Sequence, residues 1–527
     1  MADLFSDYRP GPGWDEMFAD AGRPRPAYAA LHAALRPMSG SDLRLRADVL
    51  ASAFLDQGIT FALKGVERPF PVDIIPRIIS DSQWHTVETG VAQRVRALEA
   101  FLADVYGAGA ALEDGIVPRR IVVTSAHLVR EAAGIAPANG VRIHVAGVDL
   151  IRDEAGTFCV LEDNVRTPSG VSYVMENRRF MTTVLPEVFA ATRIRPVEEY
   201  PSMLLRALRA AAPTGVEDPT VVVLTPGVHN SAYFEHALLA REMGVELVEG
   251  RDLVCVGHEV AMRTTAGERK VDVIYRRIDD DFLDPVHFRT DSMLGCAGLL
   301  NAARAGNVTI ANAVGNGVAD DKLLYTYVPD LIRYYLGEEP ILPNVQTYRL
   351  DDPDALEWVL EHLDQLVLKP VDGSGGSGIV IGSRATDEQL DRTRSRLKRH
   401  PRGYIAQREV QLSMVPTLIG DRLRPRHVDL RPFAVNDGER VSVLPGGLTR
   451  VALPEGELVV NSSQGGGSKD TWVLTGSTGP VSAAPPAELA TGAVPAPRRP
   501  DPGPEAGAIA AQQQQQQQAR GFRRTPC

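Results

Sequence analysis

Three side chains close together in the sequence have the chemistry to hold a hard metal ion. Asp149 sits between Val148 and Leu150, and Glu162 and Asn164 follow after the turn-forming run Asp153-Glu154-Ala155-Gly156. The apolar neighbours Val148, Leu150, Val160 and Leu161 predict two buried strands joined by that turn. Glu162 and Asn164 are two positions apart, so on a strand they share a face. Two carboxylates and an amide oxygen, with no Cys or His among them, suit Mg2+ or Mn2+ that also touches the phosphates of a nucleotide. A polar hairpin end with Glu162 and Asp163 solvated is the competing reading, and these residues alone leave both open.

Other stretches carry charge where charge is costly. Lys369 interrupts the apolar run Leu366-Val367-Leu368, and a lysine there needs an anionic partner. It leads into Asp372-Gly373-Ser374-Gly375-Gly376-Ser377-Gly378 and then Ile379-Val380-Ile381. The GxxxxGK[ST] pattern is absent, so this is no Walker loop. It reads either as a glycine hairpin whose bare N–H groups fold over phosphates, or as a plain mobile turn. Asn307 to Lys322 reads as a strand, a Gly/Asn loop and a helix start capped by Asp320 or Asp321. The strand Val273 to Ile278 carries Arg276 and Arg277 and ends at Asp279, Asp280 and Asp281, a site for ligand contact or a solvated strand end. Asp429-Leu430-Arg431 sets alternating charge on one strand face. Asn461 to Asp470 reads as a polar glycine loop, either beside phosphates or on the surface.

The elements that must position these groups are spread along 527 residues, enough for about three domains. A net charge of −11 argues against a general nucleic-acid or anionic-membrane binder. The four cysteines show no zinc-site spacing, and a disulfide framework is not expected. With no signal-peptide pattern and no apolar run of about 18 residues, a cytoplasmic soluble protein is expected. Residues 1 to about 40 read as an arm whose Tyr8, Trp14 and Phe18 pack onto the body. Helical spacing of Val91, Val95, Leu98, Leu102 and Val105 predicts a helix from about Glu88 to Tyr106. Ile121-Val122-Val123 reads as a strand, and Met175 to Met181 as a polar, Arg-rich helix. Thr220 to Leu224, a helix from Ala232 to Met243 stopping at Gly244, and strands at Glu246–Val248 and Leu253–Val256 predict a small α/β unit with a parallel sheet. His85, His144 and His427 read as structural, and no Ser/His/Asp or Cys/His set stands out. Beyond about Leu474 the Ala/Pro/Gly composition and the run Gln512–Gln518 predict a disordered tail.

In their order and spacing, the phrases LEDNVRTPSGVSY, IYRRIDDDFLDP, GNGVADDK, LKPVDGSGGSG, DLRPFAV, LPGGLTRVA and VNSSQGGGSKDTW resemble the circularly permuted ATP-grasp type 2 proteins. These are similar to the branch that includes eukaryotic-type glutathione synthetase and glutathionylspermidine synthetase. The resemblance covers roughly residues 55 to 475, and the metal triad precedes the lysines, as permutation requires. It implies an α/β (α+β) permuted ATP-grasp fold with an inserted small α/β substrate domain and a disordered C-terminal tail. The expected units are an arm and helices over 1–54, a metal-binding half over 55–199, the substrate domain over 200–300, the lysine and glycine-lid half over 301–475, and the tail over 476–527.

The resemblance also implies roles. Asp149, Glu162 and Asn164 would hold Mg2+ or Mn2+, and Lys322 and Lys369 the phosphates of ATP. Gly373, Ser374, Gly375, Gly376, Ser377 and Gly378 would form the lid. Gln407, Glu409 and Val410 would form the adenine hinge, with Glu409 accepting from the ribose. Arg450 would stabilise a developing phosphate. Relatives often carry Arg two residues before the first metal Asp; here that position is Gly147, and Arg166 or Arg450 would replace it. Ser169, Gly170, Tyr275, Arg276 and Arg277 would lie near a substrate carboxylate. The implied activity is ATP-dependent ligation of a small-molecule or peptide carboxylate to an amine through an acylphosphate. A nucleotide-binding scaffold and a phosphotransferase are the competing functions. No nucleic acid or membrane partner is expected, and a homo-oligomer or partner subunit stays open.

Overall fold

A computed structural model of the chain describes residues 3–20, 22–63, 66–371, 378–457, 460 and 466–476, together with Gln512. Its centre is a nine-stranded sheet. In spatial order its main path runs Val441–Val443, Phe433–Asn436, Val145–Arg152, Arg422–Arg431, Leu448–Val451, Gly467–Val473 and Val72–Ile79. Phe158–Asn164 and Met414–Ile419 pair alongside. The pairings are antiparallel except that of Gly467–Val473 with Val72–Ile79. The sheet draws strands from both of the halves expected over 55–199 and 301–475.

The expected hairpin is present as Val145–Arg152 and Phe158–Asn164. Asp153 closes its turn by accepting from the backbone N–H groups of Ala155 and Thr157, and Gly156 takes φ 81°. Behind the hairpin lies the helix Asp81–Val105. It starts a turn and more before the expected Glu88, because Ser80 and Gln83 form a capping box and Trp84 and Val87 extend the buried stripe. From this helix Arg94 Nε and Nη2 donate to the two carboxylate oxygens of Asp163 at 2.6 and 2.8 Å, with both side chains inaccessible. Asp163 is therefore a brace on the back of the hairpin and not a solvated end.

A second, four-stranded sheet is antiparallel, in the order Thr347–Arg349, Tyr404–Arg408, Leu366–Pro370 and Val380–Ile381, and carries Lys369. A third is parallel, in the order Thr309–Ala311, Val273–Arg276, Val221–Leu224 and Glu246–Val248. This is the expected α/β unit, extended past residue 300. Its helix Tyr233–Met243 ends, as predicted, on Gly244 in the left-handed region at φ 68°. Leu253–Val256 is a strand but leaves the parallel sheet to form an antiparallel three-stranded one with Glu259–Thr264 and Gly267–Lys270.

Three local expectations are corrected. Ile121–Val123 belongs to the short helix Arg119–Val123, opened by Pro118 at φ −56°. Three apolar residues carry no period that separates strand from helix. The Arg-rich helix runs Val171–Val184 and is mostly buried, because Arg178 donates to Asp470 at 2.9 Å and to the Thr471 carbonyl at 2.6 Å. Gly467–Asp470, read as loop, lies in a fully buried strand. Lys469 pairs there with Asp73 and donates to the Ile75 and Pro416 carbonyls at 3.1 and 3.0 Å. The rest of that loop read, 461–465, and the tail, apart from Thr475, Gly476 and Gln512, lie outside the described residues.

The arm packs as expected, with Tyr8 and Phe18 buried and Arg25 over the Trp14 ring. His144 is buried and His427 bonds the Leu412 carbonyl, whereas His85 is exposed. Cys255 and Cys296 are free thiols with Sγ atoms 3.4 Å apart. Among the described residues no helix is long and apolar enough to cross a membrane.

The Arg94 brace yields a stability prediction. Arg94→Ala leaves Asp163 charged and buried, and is expected to cost about 3–5 kcal/mol of unfolding free energy in guanidinium titration. Arg94→Met combined with Asp163→Leu is expected to recover most of that loss. Equal losses in the two variants would show that shape, and not the uncompensated charge, is what matters at this position.

Candidate nucleotide and metal site

Across the hairpin Asp149 pairs directly with Glu162, and Gly147 with Asn164. A bulge after Asp149 moves Leu161 out of register, and Asp149, Glu162 and Asn164 share one face, with Gly147 opposite Asn164. The oxygen-only donor set is assembled as the spacing predicted. No cluster of three His, Cys, Asp or Glu gathers among the described residues, since the third donor here is an amide. The Asn164 side-chain nitrogen is buried without a hydrogen-bond partner among the described residues. Its amide orientation is thus not fixed by the fold, and an external group can complete it. These residues fit a hard cation.

Both expected lysines reach this face. Lys322 Nζ lies 3.5 Å from Glu162 Oε2. It starts the helix Lys322–Tyr325, which Asp321, and not Asp320, caps by accepting from the Leu323 N–H at 2.9 Å. Asp321 also accepts from Ser125 Oγ at 2.6 Å and from Arg402 Nη2 at 3.1 Å, which ties the helix start to the sheet that carries Lys369. Lys369 extends from that sheet and is buried. Burial pushes its ammonium down to about 8; Glu162 and Asp149 oppose this, and Lys322 and Arg450 add to it. The two lysines, one from a helix start and one from a strand, thus both lie within charge contact of the acidic hairpin face.

Asp149 has two arginine partners. Arg431 Nε and Nη2 donate to its oxygens at 2.5 and 2.8 Å, and Arg450 Nη2 donates at 2.7 Å. Arg450 also holds Asp429 through Nε at 2.9 and 3.0 Å and through Nη2 at 2.5 Å. Burial opposes ionisation of Asp149, but the two guanidinium groups hold its carboxyl far below the usual carboxylate range. Arg450 is thus at the face, as expected. Arg166 is not among the groups on Asp149: its Nε donates to Asp320 Oδ2 at 2.8 Å, and Asp320 Oδ1 accepts from the Val165 N–H at 2.6 Å. Arg431 and Asp429 had no assigned role in the sequence, although their alternate spacing on one strand was the available signal.

The loop Pro168-Ser169-Gly170 follows directly. Gly170 takes φ 118°, and a Cβ there would meet Leu448 Cδ2 at 2.7 Å, so only glycine fits. Glu235 accepts from the N–H groups of Gly170 and Ser172 at 2.7 and 3.1 Å, at the start of the helix Val171–Val184. Arg277 Nη2 donates to Ser169 Oγ at 2.6 Å, to the Pro168 carbonyl at 2.9 Å and to Glu235 at 3.1 Å, and its Nη1 donates to Tyr275 Oη at 3.1 Å. Ser169, Gly170, Tyr275 and Arg277 are therefore brought together, with Glu235 as an unforeseen member. Arg276 turns away: it is fully buried and donates to the Asn312, Ala313 and Ile278 carbonyls while pairing with Asp280. Its role is to brace the loop whose Asn312 side chain donates to the Val145, Val165 and Arg166 carbonyls.

The hinge positions lie where the chain passes from the Lys369 sheet to the central sheet. Gln407 is buried with Nε2 on Thr347 Oγ1 at 3.0 Å. Glu409 accepts from Ser383 Oγ at 2.7 Å, and Val410 packs partly buried against Ile151, Cys159 and Val345. Of the lid, Gly378 is described with φ 75°; Gly373, Ser374, Gly375, Gly376 and Ser377 lie outside the described residues.

The family model for circularly permuted ATP-grasp type 2 matches residues 76–452. An uncharacterized protein of Mycobacterium tuberculosis (strain H37Rv) is 62% identical over 461 residues, 88% of this chain and 84% of that one. A Frankia casuarinae protein that bears the name "Putative glutamate--cysteine ligase 2-2" is 47% identical over 474 residues, 89% of this chain and 54% of that one. A solved glutathione synthetase-like effector from Globodera pallida, in its apo form, has a TM-score of 0.53 at 10% identity, over 83% of this chain and 98% of that one, a likeness of fold alone. The chain belongs to the circularly permuted ATP-grasp type 2 family and has that family's mixed α/β fold.

Proposed function

We propose that the protein is an ATP-dependent carboxylate–amine ligase. The observation that carries this reading is the convergence of Lys322, Lys369 and Arg450 on the Asp149/Glu162/Asn164 face. The name borne by the Frankia relative supports the same class. In the reaction, a substrate carboxylate oxygen attacks the γ-phosphorus of ATP and the bond to ADP breaks. The amine nitrogen then attacks the acyl carbon, phosphate leaves, and the amine proton passes to solvent. Asp149, Glu162 and Asn164 would hold Mg2+, which supplies charge neutralisation on phosphate oxygens. Lys369 and Lys322 hold the phosphate chain, and Arg450 faces the charge that develops on the transferred group. Arg277 and Ser169 orient the carboxylate loop. No side-chain nucleophile is required, in keeping with a cleft built of cations, metal donors and backbone. A nucleotide-binding scaffold would use the same cleft without turnover, and a phosphotransferase would leave the phosphoryl group on its acceptor.

The test is ADP and phosphate release across a panel of amino acids and short peptides as acids and amines, with Mg2+ present. Release that needs both an acid and an amine, and that falls at least about 100-fold in Glu162→Gln with unchanged far-UV circular dichroism, is the expected result. Nucleotide binding without release under any pairing would favour the scaffold, and a stable phosphorylated product the phosphotransferase.

The Lys369 ammonium supplies a pH signature. A phosphate chain binds the protonated lysine, so affinity for a non-hydrolysable ATP analogue is expected to hold below pH 8 and to fall above it, by up to about tenfold per pH unit. Lys369→Arg, which stays charged, is expected to flatten the profile in calorimetry. A flat wild-type profile across that range would remove Lys369 from the phosphate site.

A further inference from the structure

Two thiols outside the candidate site face each other. Cys255 lies on the strand Leu253–Val256 of the antiparallel three-stranded sheet, and Cys296 lies between the helices Asp280–Leu283 and Leu299–Arg304. They are 41 positions apart in the chain, with their Sγ atoms 3.4 Å apart. A buried cysteine often acts as a small hydrophobe, and Cys296 shares an apolar cluster with Leu283, Leu294 and Leu299. Packing alone does not require two sulfurs to meet. Among the described residues no third His, Cys, Asp or Glu completes a metal site around them.

Both thiols are carried by backbone that has little room to move. Cys255 is paired across its sheet with Val260. The Cys296 N–H donates to the Leu283 carbonyl at 3.0 Å, and a Cβ on Gly295 would run into that carbonyl and the one of Phe282. Gly298 lies against Cys255 itself, since a Cβ there would be 3.4 Å from Cys255 Cβ. Asp284 fixes the same stretch by accepting from the N–H groups of Gly298 and Leu300 at 3.2 and 3.0 Å. Closing a disulfide needs the sulfurs to approach by about 1.4 Å, to the ordinary bond of about 2.0 Å, a shift within reach of rotation about the two Cα–Cβ bonds.

The two thiols are not chemically equal. Cys255 is half-buried and Cys296 buried. A hydrogen bond from Cys296 pulls the Cys255 thiol below its ordinary value, against burial and the nearby Asp284 carboxylate, and the same bond with burial pushes Cys296 up. Burial and Asp153 push Cys159 up to about 11. The thiolate is the reactive form, so of these three Cys255 is placed to react first.

We propose that Cys255 and Cys296 are a modification site for hydroperoxides, and that their disulfide ties the antiparallel sheet to the segment that follows Arg276 and Arg277. The Cys255 sulfur attacks one oxygen of hydrogen peroxide; the O–O bond breaks, and the leaving hydroxide departs as water with the thiol proton. The Cys296 sulfur then attacks the sulfur of the resulting sulfenic acid; the S–O bond breaks, and the second hydroxide leaves as water with the Cys296 proton. Two thiols lose two electrons, and one peroxide is reduced to two waters. The closed loop contains Arg276 and Arg277, which brace the Asn312 and Ser169 loops, so oxidation constrains the unfolded chain of the unit that shapes the candidate site. A reducing dithiol reverses the step.

The test exposes the reduced full-length protein to hydrogen peroxide, alkylates the remaining thiols in denaturant and maps the peptides by mass spectrometry. The expected result is a Cys255–Cys296 cross-linked peptide, with Cys159 and Cys527 still alkylated. The thermal unfolding midpoint is expected to rise by about 5 °C and to return with dithiothreitol. Cys296→Ser is expected to accumulate a Cys255 sulfenic acid that dimedone traps at least about tenfold faster than it traps Cys296 in Cys255→Ser. Cys255 and Cys296 that stay alkylatable after Cys159 or Cys527 has been oxidised would overturn the proposal, as would a cross-link with no rise in the midpoint. The wild-type peptide map decides between these outcomes if a serine variant fails to fold.

Discussion

The fold is organised around four charges, the buried Asp149, Asp429 and Arg450 and the partly exposed Arg431, on three adjacent strands of the central sheet. Each strand alternates its side chains, so a slip of one residue would send a charge into the apolar layer beneath and leave its partner unpaired. Charge pairing therefore fixes the register of Val145–Arg152, Arg422–Arg431 and Leu448–Val451 more firmly than their apolar residues do. On the opposite face of the hairpin Arg94 and Asp163 act in the same way toward the long helix. The candidate metal face is thus held from both sides by ion pairs that tolerate little displacement.

Two other units are fastened to this frame by arginines. Arg276 and Arg277 are neighbours at the end of one parallel strand, and their side chains do different work. Arg276 binds the backbone beyond Thr309–Ala311, and through Asn312 that backbone grips the chain leaving the hairpin. Arg277 grips Pro168 and Ser169 directly. The α/β unit therefore sets the shape of the loop after the metal face, even though its sheet shares no strand with the central one. The Lys369 sheet is joined through Arg402, which bonds Asp321, Thr124 and the Ile121 carbonyl, through the Arg120–Asp351 and Arg384–Glu457 pairs, and through the shared apolar cluster of Val371 and Ile405 with Val148 and Leu150.

Much of this was legible in the sequence because the signals were local. The hairpin with its Asp153–Gly156 turn, the triad on one face, the strand Val221–Leu224 and the helix stop at Gly244 each follow from neighbours within a few residues. What stayed hidden depends on partners far along the chain. Gly467–Asp470 has the composition of a loop, and only Asp73 and Arg178 explain why it is a buried strand. Of Arg166 and Arg450, the alternatives for the arginine missing at residue 147, Arg450 bonds Asp149, whereas Arg166 bonds Asp320, 154 residues away. Arg431 lies 282 residues from Asp149, and nothing near either one announces the pair. The short helix at Arg119–Val123 failed for the opposite reason, since its signal was too brief to have a period.

The parallel pairing of Val72–Ile79 with Gly467–Val473 has a consequence for biosynthesis. Asp73 and Lys469 are 396 positions apart, and among the described residues Val72–Ile79 has no other strand neighbour in the sheet. During synthesis this strand, buried along nearly all its length in the finished fold, emerges early and must wait for almost the whole ordered chain before its partner leaves the ribosome. In the finished fold the arm contacts this strand, with Glu16 on Arg77 and Tyr28 Oη accepting from the Ile78 N–H, contacts that need no segment beyond residue 79. A chain cut before Gly467 would therefore leave this edge unpaired in the sheet and open to pairing with another chain.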